Sequence, residues 1–159
     1  ICQRPEKKAC ALLWEFAGGK SLFDRARQEA RESRIDGRPD ILGSDIDARS
    51  IELCKKHAKK AGVMVNWKVA PLKELSTDKS GGLIVCNPPY GERMMEKREA
   101  EALYREMRHK FDELDNWQVS VITAYRDFER IYGKRADKRR KLSNGGMVCT
   151  MYQYFKRDV

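Results

Sequence analysis

The spacing of apolar residues changes several times along the chain and marks out alternating elements. Through residues 1–32 it is helical. Ala9, Leu12, Leu13 and Phe16 recur at helical spacing and Gly18-Gly19 interrupts them. Ser21-x-x-Asp24 then starts a second run, with Leu22, Phe23, Ala26 and Ala30 on its apolar side. Trp14 reads as a packing residue. Ser33–Pro39, with Gly37 and Pro39, is a loop. Asp40–Asp45 reads as a short strand. A helix follows, with Asp47 at its N-cap, Ile51, Cys54, Ala58 and Ala61 as its buried stripe, and Gly62 at its end. Lys55, Lys56, Lys59 and Lys60 lie off that stripe. Val63–Val69 alternates, placing Val63, Val65, Trp67 and Val69 on one side of a strand.

Ala70-Pro71 leads into a loop that ends at Gly81-Gly82. Next comes Leu83-Ile-Val-Cys-Asn87-Pro88-Pro89-Tyr90-Gly91, the stretch around which the chain is organised. Ile84 and Val85 favour a buried strand, and Pro88 and Pro89 end it because they cannot donate to a ladder. Ala100, Leu103, Tyr104, Met107, Phe111 and Leu114 mark an amphipathic helix whose aromatics read as core. Gln118–Ala124 is another strand, and residues 126–132 form a short helix. Ser143-Asn144-Gly145-Gly146 signals a hairpin between a strand near Lys141 and a final strand, Met147–Phe155. No repeat or low-complexity tract interrupts this order. Strands that alternate with helices up to a closing hairpin predict an α/β fold with a mainly parallel sheet and an antiparallel edge.

The composition narrows the class. Hydrophobic residues make up 41% of the 159 and charged ones 36%, which predicts a soluble single domain with a thick charged surface. No apolar stretch approaches membrane-spanning length and no secretory signal stands at Ile1, so neither a membrane partner nor export is expected. Cys2, Cys10, Cys54, Cys86 and Cys149 are odd in number and widely spaced, and only His57 and His109 could assist them. Neither a metal site nor a disulfide framework is expected, and a reducing cytoplasm is the natural setting. Cys86 reads as a small core residue. The net charge of +9 points to an anionic partner, nucleic acid first. Nothing in the pattern bears on oligomeric state.

Asn87 would sit at the carboxyl end of its strand, the rim where open α/β sheets bind ligands. An exocyclic amine on a nucleobase is a poor nucleophile, because its lone pair is delocalised into the ring. The Asn87 side-chain oxygen and the Pro88 carbonyl are two acceptors that could take its two N–H groups. Held tetrahedrally, the nitrogen would keep its lone pair to itself. Tyr90 offers a flat face for the base. The acceptors would act by preorganised electrostatics, with no strong base. The plain structural reading is a strand ending in a Pro-rich turn.

Asp45 falls at the end of an earlier strand, where a carboxylate can accept from both hydroxyls of a ribose, with Ile46 against an adenine face. Alternatively, Asp45 and Asp47 both cap the following helix. Arg126–Lys141 holds eight basic residues and three acidic ones, interleaved with Tyr125, Phe128 and Tyr132. That composition suits phosphate contacts and base stacking; a solvated helix face with the aromatics inside is the other reading.

The Asn87-Pro-Pro-Tyr90 stretch resembles the motif of S-adenosylmethionine-dependent amino-methyltransferases. The order of elements is that of the Rossmann-like class I methyltransferase fold. Gly43-Ser-Asp-Ile-Asp47, Asn87-Pro-Pro-Tyr-Gly-Glu-Arg93 and Arg135-Ala-Asp-Lys-Arg-Arg-Lys-Leu-Ser-Asn-Gly145 together resemble the catalytic domain of bacterial 23S rRNA guanine-N2 methyltransferases. That family is often labelled putative N6-DNA methylases, and its members usually carry an upstream THUMP RNA-binding domain. The resemblance covers roughly Asp40 to Phe155.

It implies methyl transfer from S-adenosylmethionine to the N2 amine of a guanine in rRNA. Asn87, Pro88, Pro89 and Tyr90 would be the catalytic stretch, and Asp45, Ile46 and Asn87 the cofactor contacts. Arg126, Arg130, Lys134, Arg135, Lys138 and Arg139 would contact RNA. The rivals are an adenine-N6 DNA methyltransferase, which the same motif serves, and a non-catalytic RNA-binding domain.

Two departures bear on this. The family's first strand and its Asp-Pro-x-Cys-Gly-Ser-Gly-Thr loop, which holds the methionine part of the cofactor, have no match, and Gly18-Gly19 does not follow an apolar strand. The chain also lacks an initiator Met. Residues 1–159 are therefore expected to be a partial methyltransferase domain, with that loop and the THUMP domain upstream, and inactive alone. Ala70-Pro71 stands where many members have an acidic adenine contact, so none is carried over.

Overall fold

The computed structural model describes residues 19–33, 37, 39–91, 94–144 and 146–155. The helix expected before Gly19, with Ala9, Leu12, Leu13, Trp14 and Phe16, lies outside them, as do Cys2, Cys10, Glu92, Arg93 and Gly145. The chain forms two compact units, Ile1–Val69 and Ala70–Val159.

In the first unit, helix α1 (Gly19–Glu32) buries none of its residues, so the apolar side expected of Leu22, Phe23, Ala26 and Ala30 is not a core face here. Strand β1 (Leu42–Asp45) pairs in parallel with β2 (Asn66–Val69). Gly43 faces Trp67 in that register, and a Cβ on Gly43 would lie 2.2 Å from the indole, so the ring covers the glycine. Between the strands runs α2 (Ala48–Ala61), which starts at Asp47 and ends at Gly62 as the sequence predicts. Asp47 accepts from the amides of Arg49 and Ser50, and Gly62 takes the left-handed conformation at φ 66°.

The helix buries Ile51 and Ala58, half-buries Cys54 and leaves Ala61 exposed, one residue short of the expected stripe. The strand expected over Val63–Val69 is only its second half. The Val63 amide is committed to the Ala58 carbonyl at the helix end, which keeps the chain out of the ladder until Asn66, and Val63 and Val69 stay exposed.

The second unit is a four-stranded sheet in the order β3-β4-β6-β5. Strand β3 (Gly82–Cys86) runs parallel to β4 (Trp117–Thr123). Strand β6 (Met147–Tyr154) runs antiparallel to both β4 and β5 (Lys138–Asn144), giving the predicted antiparallel edge. The crossover between the parallel strands is α3 (Met94–Asp112). Its stripe of Ala100, Tyr104, Met107 and Phe111 is buried, as expected, and joins Val119 and Val121 of β4 and Tyr152 and Tyr154 of β6 in the core. The short helix α4 (Phe128–Tyr132) adds Phe128, Ile131 and Tyr132 to the same core.

The strand before the Pro-Pro turn is not buried on both faces. It is an edge of its sheet, and α3 covers only the face with Ile84 and Cys86. Leu83 and Val85 point the other way and are each 59% exposed.

Candidate active site

Strand β3 delivers Asn87 to its carboxyl end with the side chain exposed, and Pro88 is buried behind it. The two prolines fix two consecutive φ angles. Tyr90 then returns toward the strand end. Its hydroxyl donates to Asn87 Oδ1 at 2.6 Å and lies 3.8 Å from Cys149 Sγ on β6. Burial, and then the neighbouring Cys149 sulfur, push the Tyr90 phenol above its ordinary range, so it is a neutral donor at physiological pH.

A second phenol holds the turn from below. Tyr104 of α3, fully buried, donates to the Pro89 carbonyl at 2.7 Å. Its oxygen also lies 3.5 Å from Thr123 Oγ1 at the end of β4. The resulting pocket of about 370 Å³ is lined by Asn87, Pro88, Pro89, Tyr90 and Met147. Its chemistry is an amide acceptor, a tyrosine ring and a thioether, with no charged group in the lining among the described residues. That is a surface for a flat, hydrogen-bonding ring.

Asp45 closes β1 and is exposed. Its Oδ1 accepts from the Asp47 amide at 2.8 Å, while Asp47 alone caps α2. Hydrogen bonds from Ser50 and the Arg49 amide hold the Asp47 carboxyl below its ordinary range. The two acids therefore divide the work: Asp47 caps, and Asp45 keeps a carboxylate oxygen free of any contact to a described residue. Ile46 beside it is 75% exposed. A carboxylate with a free oxygen next to an open apolar face fits a ribose and its purine.

The basic segment is more engaged than its composition suggests. Arg139 pairs with Glu129 at 2.8 Å and Arg130 with Asp127 at 3.4 Å, while Lys134 lies 5.8 Å over the Tyr154 ring. Arg126, Arg135 and Lys138 are exposed and pair with no acidic group among the described residues. The interleaved aromatics are not available for base stacking. Phe128 and Tyr132 are buried against Tyr152 and Tyr154, and the half-buried Tyr125 hydroxyl donates to Glu101 at 2.5 Å. Helix α4 turns Phe128 and Tyr132 onto the sheet, as in the reading with the aromatics inside.

Cys86 behaves as the core residue expected. It is half-buried, bonds the Ser120 carbonyl at 3.9 Å, and burial pushes its thiol up to about 12. Cys54, Cys86 and Cys149 are free, and no metal-binding cluster occurs among the described residues. No helix among them is long and apolar enough to cross a membrane. Met147, Cys149 and Tyr104 join the site without any reading of the sequence pointing there. For Tyr104 there was a signal: a tyrosine in a core stripe brings a hydroxyl that must find a partner.

A family model described as "UPF0020: RMKL-like, methyltransferase domain" matches residues 5–153. The "Putative RNA methyltransferase YpsC" of Bacillus subtilis is 40% identical over 147 residues, which are 91% of this chain and 38% of that protein. The "Ribosomal RNA large subunit methyltransferase K/L" of Legionella pneumophila is 32% identical over 135 residues, 83% of this chain and 19% of that protein. The chain thus spans about two fifths and one fifth of these relatives' lengths. Among solved structures, "SMU.472, a putative methyltransferase complexed with SAH" is 37% identical, with a TM-score of 0.77 over 88% of this chain and 38% of that one. The fold is that of the class I methyltransferases.

Proposed function

Since this chain belongs to the UPF0020 family of RMKL-like methyltransferase domains, we propose that it carries the acceptor site of an S-adenosylmethionine-dependent RNA methyltransferase whose target is the N2 amine of a guanine in 23S rRNA. The cofactor supplies an electrophilic methyl group. Asp45 accepts from its ribose hydroxyls and Ile46 covers its adenine face. A relative of known structure binds SAH, and the free oxygen of Asp45 and the open face of Ile46 support the same cofactor class here.

The observation that carries this reading is the exposed Asn87, held at the end of β3 by the Tyr90 hydroxyl in a pocket lined by Pro88, Pro89, Tyr90 and Met147. Its Oδ1 has a second lone pair for one N–H of the acceptor amine, and the Pro88 carbonyl takes the other. Both acceptors draw the amine hydrogens out of the plane of the base, which localises the nitrogen lone pair toward the methyl donor. Fixed dipoles do this without a general base. Pro89 and the Tyr90 ring bound the base, which must leave its stack to reach this rim. Arg126, Arg130, Lys134, Arg135, Lys138 and Arg139 hold the RNA backbone. The curated relatives named as RNA and ribosomal RNA methyltransferases support RNA as the substrate class.

The test is calorimetric titration of the complete protein with S-adenosylmethionine, then incubation with ribosomal RNA and mass spectrometry of the digested nucleosides. N2-methylguanine is expected. N6-methyladenine in DNA would move the assignment to the adenine-N6 enzymes. RNA affinity without cofactor binding would leave a non-catalytic RNA-binding domain.

A further inference from the structure

We propose that Tyr104 is a positioning residue for methyl transfer, acting through the Pro89 carbonyl to fix the direction of the Pro88 carbonyl; this rests on the reading of Asn87 and Pro88 as the amine acceptors. Tyr104 comes from α3, outside the motif, and does not itself line the pocket. Its hydroxyl donates to Pro89 O at 2.7 Å.

The consequence follows from proline geometry. The Pro89 ring holds φ at about −65°, so the planar peptide carrying the Pro88 carbonyl has one soft torsion fewer than elsewhere. Pinning the Pro89 carbonyl removes the next torsion along the chain. Tyr90 is tied down beyond it, through its hydroxyl to Asn87 and Cys149. The Pro88 carbonyl is then held between two fixed points.

Tyr104 is itself rigid. It is 0% exposed, and its ring packs edge-on against Tyr125 at 5.4 Å and Phe128 at 5.0 Å. Phenylalanine would fill the same space. The hydroxyl has one other neighbour, Thr123 Oγ1 at 3.5 Å, and that oxygen already accepts from the Tyr125 amide at 3.0 Å. The short bond is to the turn. A packing role alone would not require the oxygen.

The test is Tyr104→Phe in the complete protein, with three readouts. Turnover is expected to fall about tenfold or more, as for a small misplacement of a reacting group. S-adenosylmethionine affinity by calorimetry stays within about twofold, because Asp45 and Ile46, its proposed ribose and adenine contacts, stand at the end of β1 and not on α3. The isotope-labelled carbonyl resonance of Pro89 shifts on loss of its donor. Ile131→Ala serves as the stability control: it deletes core volume away from the turn, lowers the melting temperature and leaves turnover near normal. Wild-type turnover in Tyr104→Phe, or a fall that Ile131→Ala matches at equal melting temperature, would overturn the proposal. If the unsubstituted protein transfers no methyl group, the proposed function fails. Tyr104's hold on the turn is still decided then by the Pro89 resonance, and an unshifted resonance refutes it.

Discussion

The hydroxyl of Tyr90 donates to the side-chain oxygen of Asn87 at 2.6 Å, three residues back along the same turn. The motif therefore supplies its own brace. A donor on Oδ1 settles which end of the amide is the acceptor and points the remaining lone pair of that oxygen at the pocket. Tyr90 then does two things: its ring bounds the pocket, and its oxygen sets the amide.

Asn87→Ala removes the acceptor and the brace's partner together. Turnover should fall by about 10²–10³, the scale for losing one preorganised dipole at the reacting centre. Cofactor affinity should change far less. Tyr90→Phe keeps the ring and frees the amide to rotate, so a smaller loss is expected, about tenfold for one hydrogen bond. Methyl-transfer kinetics paired with calorimetry read both, and equal loss of turnover and cofactor binding in Asn87→Ala would make Asn87 structural.

Asp45 and Asp47 should separate cleanly. Asp45→Asn keeps the oxygen that accepts from the Asp47 amide, so the melting temperature should hold. S-adenosylmethionine affinity should drop roughly tenfold to a hundredfold, the range for hydrogen bonds to a charged group. Asp47→Ala should do the reverse, lowering the melting temperature by uncapping α2. The Asp47 carboxyl is held below its ordinary range by Ser50 and Arg49, so its contribution is present at neutral pH and disappears as pH falls through the acid range. The stability gap between wild type and Asp47→Ala should therefore close on acidification, which thermal melts across pH can follow.

The cations of the 126–141 segment should not contribute equally to RNA binding. Lys138→Ala and Arg135→Ala remove charges that pair with no acidic group among the described residues, and each should weaken RNA binding and lower the slope of log affinity against log salt by about one. Arg139→Ala breaks the pair with Glu129, which also accepts the Ala136 amide at 2.6 Å, so it should shift the melting temperature as well as the affinity. Filter binding over a salt series, with melts of each variant, distinguishes the two classes. Equal slopes for all three would make the Glu129 pair irrelevant to binding.

Alkali should unfold the second unit early. Burial pushes the phenols of Tyr104, Tyr132, Tyr152 and Tyr154 up, and burial with the Glu101 bond pushes Tyr125 up to about 12. The unfolded chain gives up these protons near the ordinary value of 10, before the folded one does. Between about pH 10 and pH 12 the unfolded state thus binds fewer protons, and stability falls as pH rises. Circular dichroism should show loss of structure in this window together with a sharp rise in phenolate absorbance. A gradual, non-cooperative titration of the phenolate signal would contradict the buried cluster.

Local structure was legible from neighbouring residues alone. The period of Ala100, Tyr104, Met107 and Phe111 made a helix, Asp47 and Gly62 bounded another, and Pro88 and Pro89 stopped β3 at Asn87. These are properties of neighbouring residues, set by φ limits, caps and one-sided burial. The residue types of Asn87-Pro-Pro-Tyr90 are likewise the ground on which a site for an amine on a flat ring is proposed.

Other features depend on partners far along the chain. Tyr104 looked like any core aromatic until its hydroxyl met Pro89, fifteen residues back. Cys149 reaches Tyr90 across 59 residues, and Met147 enters the pocket only because β6 runs antiparallel to β4. Ile84 and Val85 both read as buried strand residues, yet the core packs only on the Ile84 face and leaves Val85 open. Phe128 and Tyr132 were drawn inward, and Arg139 on β5 found Glu129 on α4, because packing and charge pairing between elements are settled by which of them share a sheet face. Hydrophobic period tells a residue which side of its own element it occupies; only the assembled sheet decides what stands opposite.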